Sequence, residues 1–296
     1  MSESTSTTSP EESMDLSEVN PEILEAIFLR FPKKDLVKCS QVCHLWKNII
    51  NTRSFWVAKE DYEGETYLRS LIDTRKPILG NDFALLSIKR PYERGLLVHE
   101  NPDGKTPVTR NADPRWYFND GGNGWRYQEP PSFIESHFHR DFKPIFDSCH
   151  ETSYGTCSKY FDLSIKDLGL TPEVMDNFRP PIVFSEWVTN RSDCGCLYRS
   201  SIQLFNENRH RIAWERQELS FDQWQYQLWQ KVEVVMQSYP PGARSIRILS
   251  SGRDLQFWNG HYGPKMAGCQ LMIKMEETPP PTQPFELGGL QDAPME

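Results

Sequence analysis

The N-terminal fold is decided by residues 16–56, LSEVNPEILEAIFLRFPKKDLVKCSQVCHLWKNIINTRSFW. Two sets of apolar residues recur there at helical spacing: Ile23, Leu24, Ile27, Phe28 and Phe31, and then Leu36, Cys39, Cys43, Trp46, Ile49 and Ile50. Asn20 is a suitable N-cap for the first helix, and Pro21 is tolerated at its first position. Pro32 ends that helix, because proline has no N–H to donate and its ring clashes with the preceding turn. Two or three short helices cannot bury all these side chains, so we expect the remaining apolar face to bind a partner.

The order of these residues resembles the F-box. The matching positions are Leu16, Pro21, Ile23, Leu24, Ile27, Phe28, Phe31-Pro32, Asp35-Leu36, Val42-Cys43, Trp46, Ile49-Ile50 and Phe55-Trp56. The resemblance implies a module that docks on the Skp-type adaptor, and through it on the cullin, of an SCF-type ubiquitin ligase. The adaptor-binding faces that it implies lie around Leu16, Pro21, Leu24, Phe28, Pro32, Leu36 and Trp46. The alternative is an ordinary helical hairpin whose apolar faces contact only the rest of this chain.

The composition indicates a protein of a reducing compartment that inserts into no membrane. The chain has 296 residues, which suggests two domains or a small module with a larger domain. Its net charge is −8 and its 33 lysines and arginines are scattered, which argues against nucleic acid as the main ligand. No apolar run approaches the ~20 residues of a membrane span, and the Ser/Thr/Glu-rich start does not resemble a signal peptide. We therefore expect a cytoplasmic protein whose seven cysteines are thiols.

The composition and the spacing of apolar residues change along the chain, and these changes predict a multidomain α + β protein. The predicted segments are a disordered tail at 1–14, the F-box at 15–60, a helical linker at 61–90, an antiparallel β-sandwich at 91–277 and a Pro-rich disordered tail at 278–296. From about Pro91, turn residues recur every few positions and apolar residues alternate with a period of two. Strands are predicted at 182–187, 196–205, 230–237, 245–249 and 270–275, and helices near 161–170 and 172–178. The fold expected is thus a three-helix F-box with linker helices, followed by a jelly-roll-like sandwich that binds the substrate.

A second resemblance covers residues 91–277, which look like the F-box-associated domain of the sugar-recognising F-box subfamily. The matching segments are Asn101-Pro102, Asp120-Gly121-Gly122-Asn123-Gly124-Trp125, Glu129-Pro130, Thr152-Ser153-Tyr154, Cys157-Ser158-Lys159, Asp162-Leu163, Pro181-Ile182-Val183, Glu186-Trp187, the stretch 191–198, Gly242-Ala243-Arg244 and the stretch 257–265. The resemblance implies a sandwich of about ten antiparallel strands. It also implies a shallow pocket, formed by loops, for the inner chitobiose of N-linked high-mannose chains.

Aromatic rings suit such a ligand because a pyranose has one apolar C–H face, which a flat ring covers at little entropic cost. By position, the family's pocket aromatics fall on Tyr154, Phe257 and Trp258. Asn259 stands where the family usually has a lysine, and it lacks the methylene stem that could pack along a sugar. The resemblance therefore implies a glycoprotein receptor, with recognition of a non-glycan protein surface as the alternative.

No pattern in the sequence indicates catalysis. There is no G-x-S-x-G, P-loop or H-E-x-x-H sequence. The pair Cys194 and Cys196 and the histidines and cysteines between 137 and 157 lack paired C-x-x-C spacing, so buried thiols and ordinary histidines are favoured over a metal site. We expect a non-catalytic receptor subunit with no cofactor, which increases the effective concentration of its substrate near a conjugating enzyme.

Overall fold

The computed structural model describes residues 19–73, 83–92, 95–96, 116–132, 134, 146, 148–224 and 228–275. The two predicted tails, at 1–14 and 278–296, and the predicted adaptor residue Leu16 lie outside these residues. The described chain divides into a helical unit, residues 19–73 and 83–88, and a sandwich unit that begins at Lys89. None of the described helices combines the length and apolar character needed to cross a membrane.

The helical unit is built from short helices around a small aromatic core. Its helices are α1 (Pro21–Phe28), α2 (Lys33–Cys39), α3 (His44–Ile50), α4 (Arg53–Glu63), α5 (Tyr67–Asp73) and α6 (Phe83–Lys89). Asn20 caps α1 through its side chain, as the sequence predicts, and Pro21 occupies the first turn. Phe28 is buried and packs edge-to-face on Trp46 of α3, with ring centroids 5.0 Å apart. The core therefore forms where α1 crosses α3.

A buried carboxylate joins the later helices to this core. Glu60 on α4 is 1% exposed. It accepts hydrogen bonds from the backbone N–H of Leu68 on α5 at 2.7 Å and from the hydroxyl of Ser87 on α6 at 2.6 Å. The stretch predicted as linker thus contains α5 and α6, which are bonded to α4 through one side chain.

The sandwich unit consists of two five-stranded antiparallel sheets. In the described residues its strands are β1 (Trp116–Asn119), β2 (Arg126–Gln128), β3 (Cys149–Glu151), β4 (Cys157–Ser164), β5 (Ile182–Thr189), β6 (Cys196–Phe205), β7 (Arg211–Phe221), β8 (Gln230–Met236), β9 (Ser245–Asp254) and β10 (Lys265–Ile273). The first sheet has the order β1-β4-β9-β6-β7 and the second has the order β2-β3-β10-β5-β8. The predicted fold class, helices followed by an antiparallel sandwich, is confirmed.

The period-two pattern places one face of each central strand in the core. On β6 the alternating residues Cys196, Tyr198, Ser200, Ile202 and Leu204 are all buried. They pair in register with β9 on one side and β7 on the other. The burial of this face against the second sheet is what makes the strand register unambiguous.

The prediction of a helix near 161–170 is wrong for residues 161–164, which belong to a strand. Phe161 and Leu163 are buried and continue β4, which pairs with β9 as far as Ser164. A single short helix, α7 (Ile165–Leu168), follows, capped by the side chain of Ser164. The second predicted helix is present as a π-helical turn at Val174–Phe178.

Ionised side chains are buried between the two sheets. Lys159 on β4 lies 2.6 Å from Glu186 on β5, and both are less than a tenth exposed. Tyr198 on β6 donates its hydroxyl to the same carboxylate at 2.7 Å. The Glu186 carboxylate raises the pKa of Lys159 against the effect of burial, so the lysine remains charged. The contacts among Lys159, Glu186 and Tyr198 therefore connect the two sheets.

Candidate functional site

Four loops meet at one end of the sandwich. They are the β1–β2 loop (120–125), the β3–β4 loop (152–156), the β5–β6 loop (190–195) and the β9–β10 loop (255–264). We call them the site loops. They contain or overlap four of the segments by which the sequence resembles a sugar-recognising domain.

Ser153 joins three of these segments. Its hydroxyl is fully buried, accepts from the backbone N–H of Asn123 at 2.9 Å and donates to the carbonyl of Gly260 at 2.6 Å. The Asn123 side chain completes the junction, since its Oδ1 accepts from the N–H of Gly260 at 2.9 Å. Two short polar side chains therefore hold the β1–β2, β3–β4 and β9–β10 loops in one arrangement.

Glycines allow two of these loops to touch through their backbones. A Cβ atom added to Gly155 would lie 2.3 Å from the backbone nitrogen of Gly122. Gly122 itself has φ +61°, a left-handed conformation that a side chain disfavours, and its Cβ would lie 2.9 Å from the ring of Tyr154. The close approach brings Tyr154, which is half-buried, against the β1–β2 loop.

The β9–β10 loop displays two aromatic side chains. Phe257 is 60% exposed and Trp258 is 40% exposed. Phe257 has φ +56°. The buried carboxylate of Asp254 holds this strained turn by accepting the backbone N–H of Phe257. Burial raises the pKa of Asp254 above its ordinary value, although its hydrogen bonds with the loop backbone oppose the shift.

The side chains of Tyr262 and Arg191 orient the ring of Trp258. Tyr262 packs edge-to-face on the Trp258 ring, with centroids 5.5 Å apart. The guanidinium of Arg191, from the β5–β6 loop, lies 4.4 Å from the centre of the Tyr262 ring. Arg191 also donates to both carboxylate oxygens of Asp193, at 2.9 and 2.7 Å, which lowers the pKa of Asp193. The tryptophan ring is therefore oriented by groups from two loops.

Beneath the loops lies a second buried ion pair. Lys265 and Glu151 are fully buried and directly paired, and Arg126 donates to the same carboxylate. Arg126 extends further to the carbonyl of His261 at 3.5 Å. Burial, reinforced by the charge of Arg126, lowers the pKa of His261 and keeps its ring neutral.

The structure brings the four predicted pocket residues to the site loops. Tyr154 lies on the β3–β4 loop, and Phe257, Trp258 and Asn259 follow one another on the β9–β10 loop, where Asn259 is exposed. The rings of Phe257 and Trp258 are both exposed, so neither is packed in the sandwich core. Their role in binding stays a prediction.

Sequence reasoning missed the residues that hold the loops in place. Ser153 and Asn123 were recognised only as parts of matching segments, and Arg191 and Tyr262 were given no role. Their contacts join positions far apart in the chain; Ser153 and Gly260, for example, are 107 residues apart. A short polar residue beside paired glycines is the one signal that could have indicated a loop junction.

The helical unit divides the predicted adaptor-binding residues into buried and exposed ones. Leu24, Phe28 and Leu36 are at most 2% exposed and form the core of the unit, so their side chains do not present a surface. Pro21 and Pro32 are exposed, and Trp46 is half-buried against Phe28. Helical spacing identifies apolar residues but does not say which of two apolar faces turns inward. Among the described residues that precede α4, the exposed large apolar side chains are Ile23, Ile27, Phe31, Val37 and Val42.

Comparison with known sequences agrees with this division. Residues 16–58 match the F-box domain, and residues 87–273 match the F-box associated region. The chain belongs to the family of F-box proteins that have an F-box associated region.

Three curated relatives illustrate the similarity. The chain is 30% identical to F-box only protein 6 of Mus musculus, over 90% of this chain and 87% of the relative. It is 26% identical to F-box only protein 27 of Macaca fascicularis, over 90% and 91% of the two chains. It is 27% identical to F-box only protein 44 of Homo sapiens, over 87% and 96%.

Similarity to solved structures is low. The xylan-binding domain CBM22-1 from Paenibacillus barcinonensis Xyn10C aligns with a TM-score of 0.32 and 11% identity, over 58% of this chain and 90% of that domain. A likeness at this level supports no argument about what this chain binds.

Proposed function

We propose that this chain is the non-catalytic substrate-recognition subunit of an SCF-type E3 ubiquitin ligase. Its sandwich binds N-linked high-mannose glycoproteins through their chitobiose core and presents them for ubiquitination. This takes place in the cytoplasm and is a step of endoplasmic-reticulum-associated degradation. The F-box and the F-box associated region support the receptor role. The observation that supports the ligand most strongly is the displayed ring pair of Phe257 and Trp258.

The surroundings of the rings suit a sugar. A pyranose needs one flat apolar surface and several polar groups at its edges. The ring of Trp258 supplies the surface and is held by Tyr262. Asn259 follows it directly and is exposed, so its amide can donate to and accept from a sugar hydroxyl.

Tyr154 would complete the pocket from the neighbouring loop. Its ring gives the same stacking face as a phenylalanine and adds a hydroxyl that can bond to a sugar edge. Gly122 and Gly155 have no side chain, so the backbones of the two loops come into direct contact. These backbone contacts set the position of the Tyr154 ring. Such a site is ordered before the ligand arrives, which reduces the entropic cost of binding.

The experiment for the sandwich compares two tryptophans of similar exposure. Trp258→Ala should abolish retention of the full chain on immobilised chitobiose. Trp214→Ala should leave retention unchanged, since Trp214 is 47% exposed but lies on the edge strand β7, outside the site loops. Equal retention of both variants would remove the site assignment. If the wild-type chain is not retained but captures a non-glycosylated protein, the alternative, recognition of a protein surface, would replace the glycan proposal.

The helical unit offers a separate test of the ligase role. The proposed adaptor face consists of the exposed apolar side chains on α1 and α2. Ile27→Glu places a charge on this face, since Ile27 is 43% exposed, and should prevent co-purification of the Skp-type adaptor. Leu228→Glu, at a side chain of the sandwich unit that is 51% exposed, should leave adaptor binding intact. Wild-type chain that forms no stable complex with the adaptor would exclude the receptor proposal.

A further inference from the structure

The most exposed large apolar side chain among those described lies next to the site loops and has no role in the site above. Trp224, just after β7, is 75% exposed. Its backbone has φ +68°, a left-handed conformation that is uncommon and costly for a bulky residue. A strained tryptophan that leaves its ring in water has no value for packing. Strain of this kind indicates a functional position.

Two hydrogen bonds fix the base of this ring to the β5–β6 loop. The backbone N–H of Trp224 donates to the carbonyl of Ser192 at 2.6 Å. The side chain of Gln223 donates to the carbonyl of Asp193 at 2.8 Å. These acceptors are next to Arg191, whose guanidinium supports the Tyr262 ring and hence Trp258. Trp224 and Trp258 are therefore attached to opposite ends of one short segment.

Gly195 connects the same two regions by a second route. Its backbone carbonyl accepts from Leu255 at 2.9 Å, at the start of the β9–β10 loop. A Cβ on Gly195 would lie 2.9 Å from the carbonyl of Phe221 and 3.4 Å from the side-chain nitrogen of Gln256. The strand end that leads to Trp224 and the turn that leads to Phe257 thus flank one glycine. Trp224 and Phe257 therefore lie on neighbouring segments, and both segments are bonded to the β5–β6 loop.

We propose that Trp224 forms an additional sugar subsite, which stacks on a saccharide unit of the same glycan beyond the chitobiose core. The inference rests on the proposed glycan site, because it places the ligand at Phe257 and Trp258. A disaccharide stacked on those rings leaves Trp224 uncovered, whereas a longer oligosaccharide can extend past the exposed Leu255 and reach it.

The chemistry beside the ring favours a sugar over a peptide. The residues adjoining it, Asp222 and Gln223, are polar, and the amide of Gln256 lies on the path between the rings. A flat ring bordered by amides and a carboxylate supplies a stacking face and edge partners for hydroxyl groups. An apolar peptide anchor would instead need a recess lined by further apolar side chains.

The test measures affinity for two free ligands that share the same core, chitobiose and a high-mannose oligosaccharide, with the full chain. For Trp224→Ala we expect unchanged affinity for chitobiose and roughly two- to tenfold weaker affinity for the oligosaccharide, the range of one aromatic stacking contact. Trp224→Phe should restore most of the loss, because it keeps a ring. Trp214→Ala should bind both ligands as the wild type does, and Trp258→Ala should lose both.

The outcomes separate this inference from the function it rests on. Wild-type affinity of Trp224→Ala for both ligands would overturn the subsite and leave the chitobiose site standing. An equal loss for both ligands would also overturn it, since it would mean that the substitution disturbs the site loops. A loss seen only with an intact glycoprotein would assign Trp224 to a polypeptide contact instead. If the wild type binds neither ligand, the proposed glycan site fails and the subsite fails with it.

Discussion

Removal of one hydroxyl group should loosen the whole candidate site. Ser153→Ala deletes the acceptor for the N–H of Asn123 and the donor to the carbonyl of Gly260. A hydrogen bond in a protein contributes about 0.5–1.5 kcal/mol net, so the loss of two predicts a decrease of about 1–3 kcal/mol in the free energy of unfolding. For a domain of this size that decrease lowers the melting temperature by about 3–10 °C.

The same substitution should weaken ligand binding without touching the ligand. Gly260 is two residues beyond Trp258, and after the substitution its loop keeps the bond from Gly260 to the Asn123 side chain but loses the bond to Ser153. Ordering the looser loop on binding costs about 1 kcal/mol, which is roughly a fivefold weaker affinity for chitobiose. Thermal unfolding and calorimetric titration of the full chain measure the two effects.

A matched serine provides the control. Ser158 on β4 accepts one hydrogen bond, from the side chain of Asn119 at 3.2 Å, and this bond is exposed to water. Ser158→Ala should change the free energy of unfolding by less than about 0.5 kcal/mol. If Ser153→Ala matches this control in both melting temperature and affinity, the loops are not held by the Ser153 junction and the reasoning above is refuted.

Three further substitutions test the frame of the sandwich. Glu186→Gln leaves the buried charge of Lys159 uncompensated and should lower the free energy of unfolding, measured by urea denaturation, by about 3–5 kcal/mol. The control Glu218→Gln, in an exposed ion pair, should lower it by less than about 0.5 kcal/mol. Similar decreases for the two variants would contradict the burial argument. Gly155→Ala places a methyl group 2.3 Å from a backbone nitrogen of the β1–β2 loop and should destabilise the fold by about 1–3 kcal/mol, so an unchanged melting temperature would show that these loops separate easily. The pKa of His261 is lowered in the native state, so below about pH 6.5 the unfolded chain takes up a proton that the native chain does not. The free energy of unfolding should therefore decrease as the pH falls from about 7.5 to about 5.5. His261→Asn should reduce that decrease, and equal slopes of stability against pH in variant and wild type would exclude this assignment.

The alternation of apolar residues predicted some strands well and missed others. The predicted strand at 196–205 coincides with β6, because that strand buries a whole face in the core. The edge strand β7, Arg211–Phe221, was not predicted since it is exposed along most of its length and shows no alternation. The three-residue strands β2 and β3 are too short for a periodic signal. Burial on one face is therefore the condition under which the pattern is informative.

The site shows the same division between local and distant information. The resemblance predicted Phe257 and Trp258 as aromatics of a pocket formed by loops, and both rings lie exposed in a loop. The junction of Ser153, Asn123 and Gly260 could not be predicted, because it depends on which loops the sandwich topology brings together. In the helical unit, Leu24 and Phe28 match a known motif, but only the packing shows that they form its core.

The junction at Ser153 has a consequence for how this protein could change over time. The loops are held by backbone groups, glycines and short polar side chains, whereas the exposed rings contribute little to folding. Substitutions at 224, 257, 258 and 259 should therefore alter ligand preference at small cost in stability, and a library randomised at these four positions should yield mostly folded chains. A library at 122, 153 and 155 should not. Folding and specificity are encoded by different residues of the same loops, so new specificities can be selected on an unchanged scaffold.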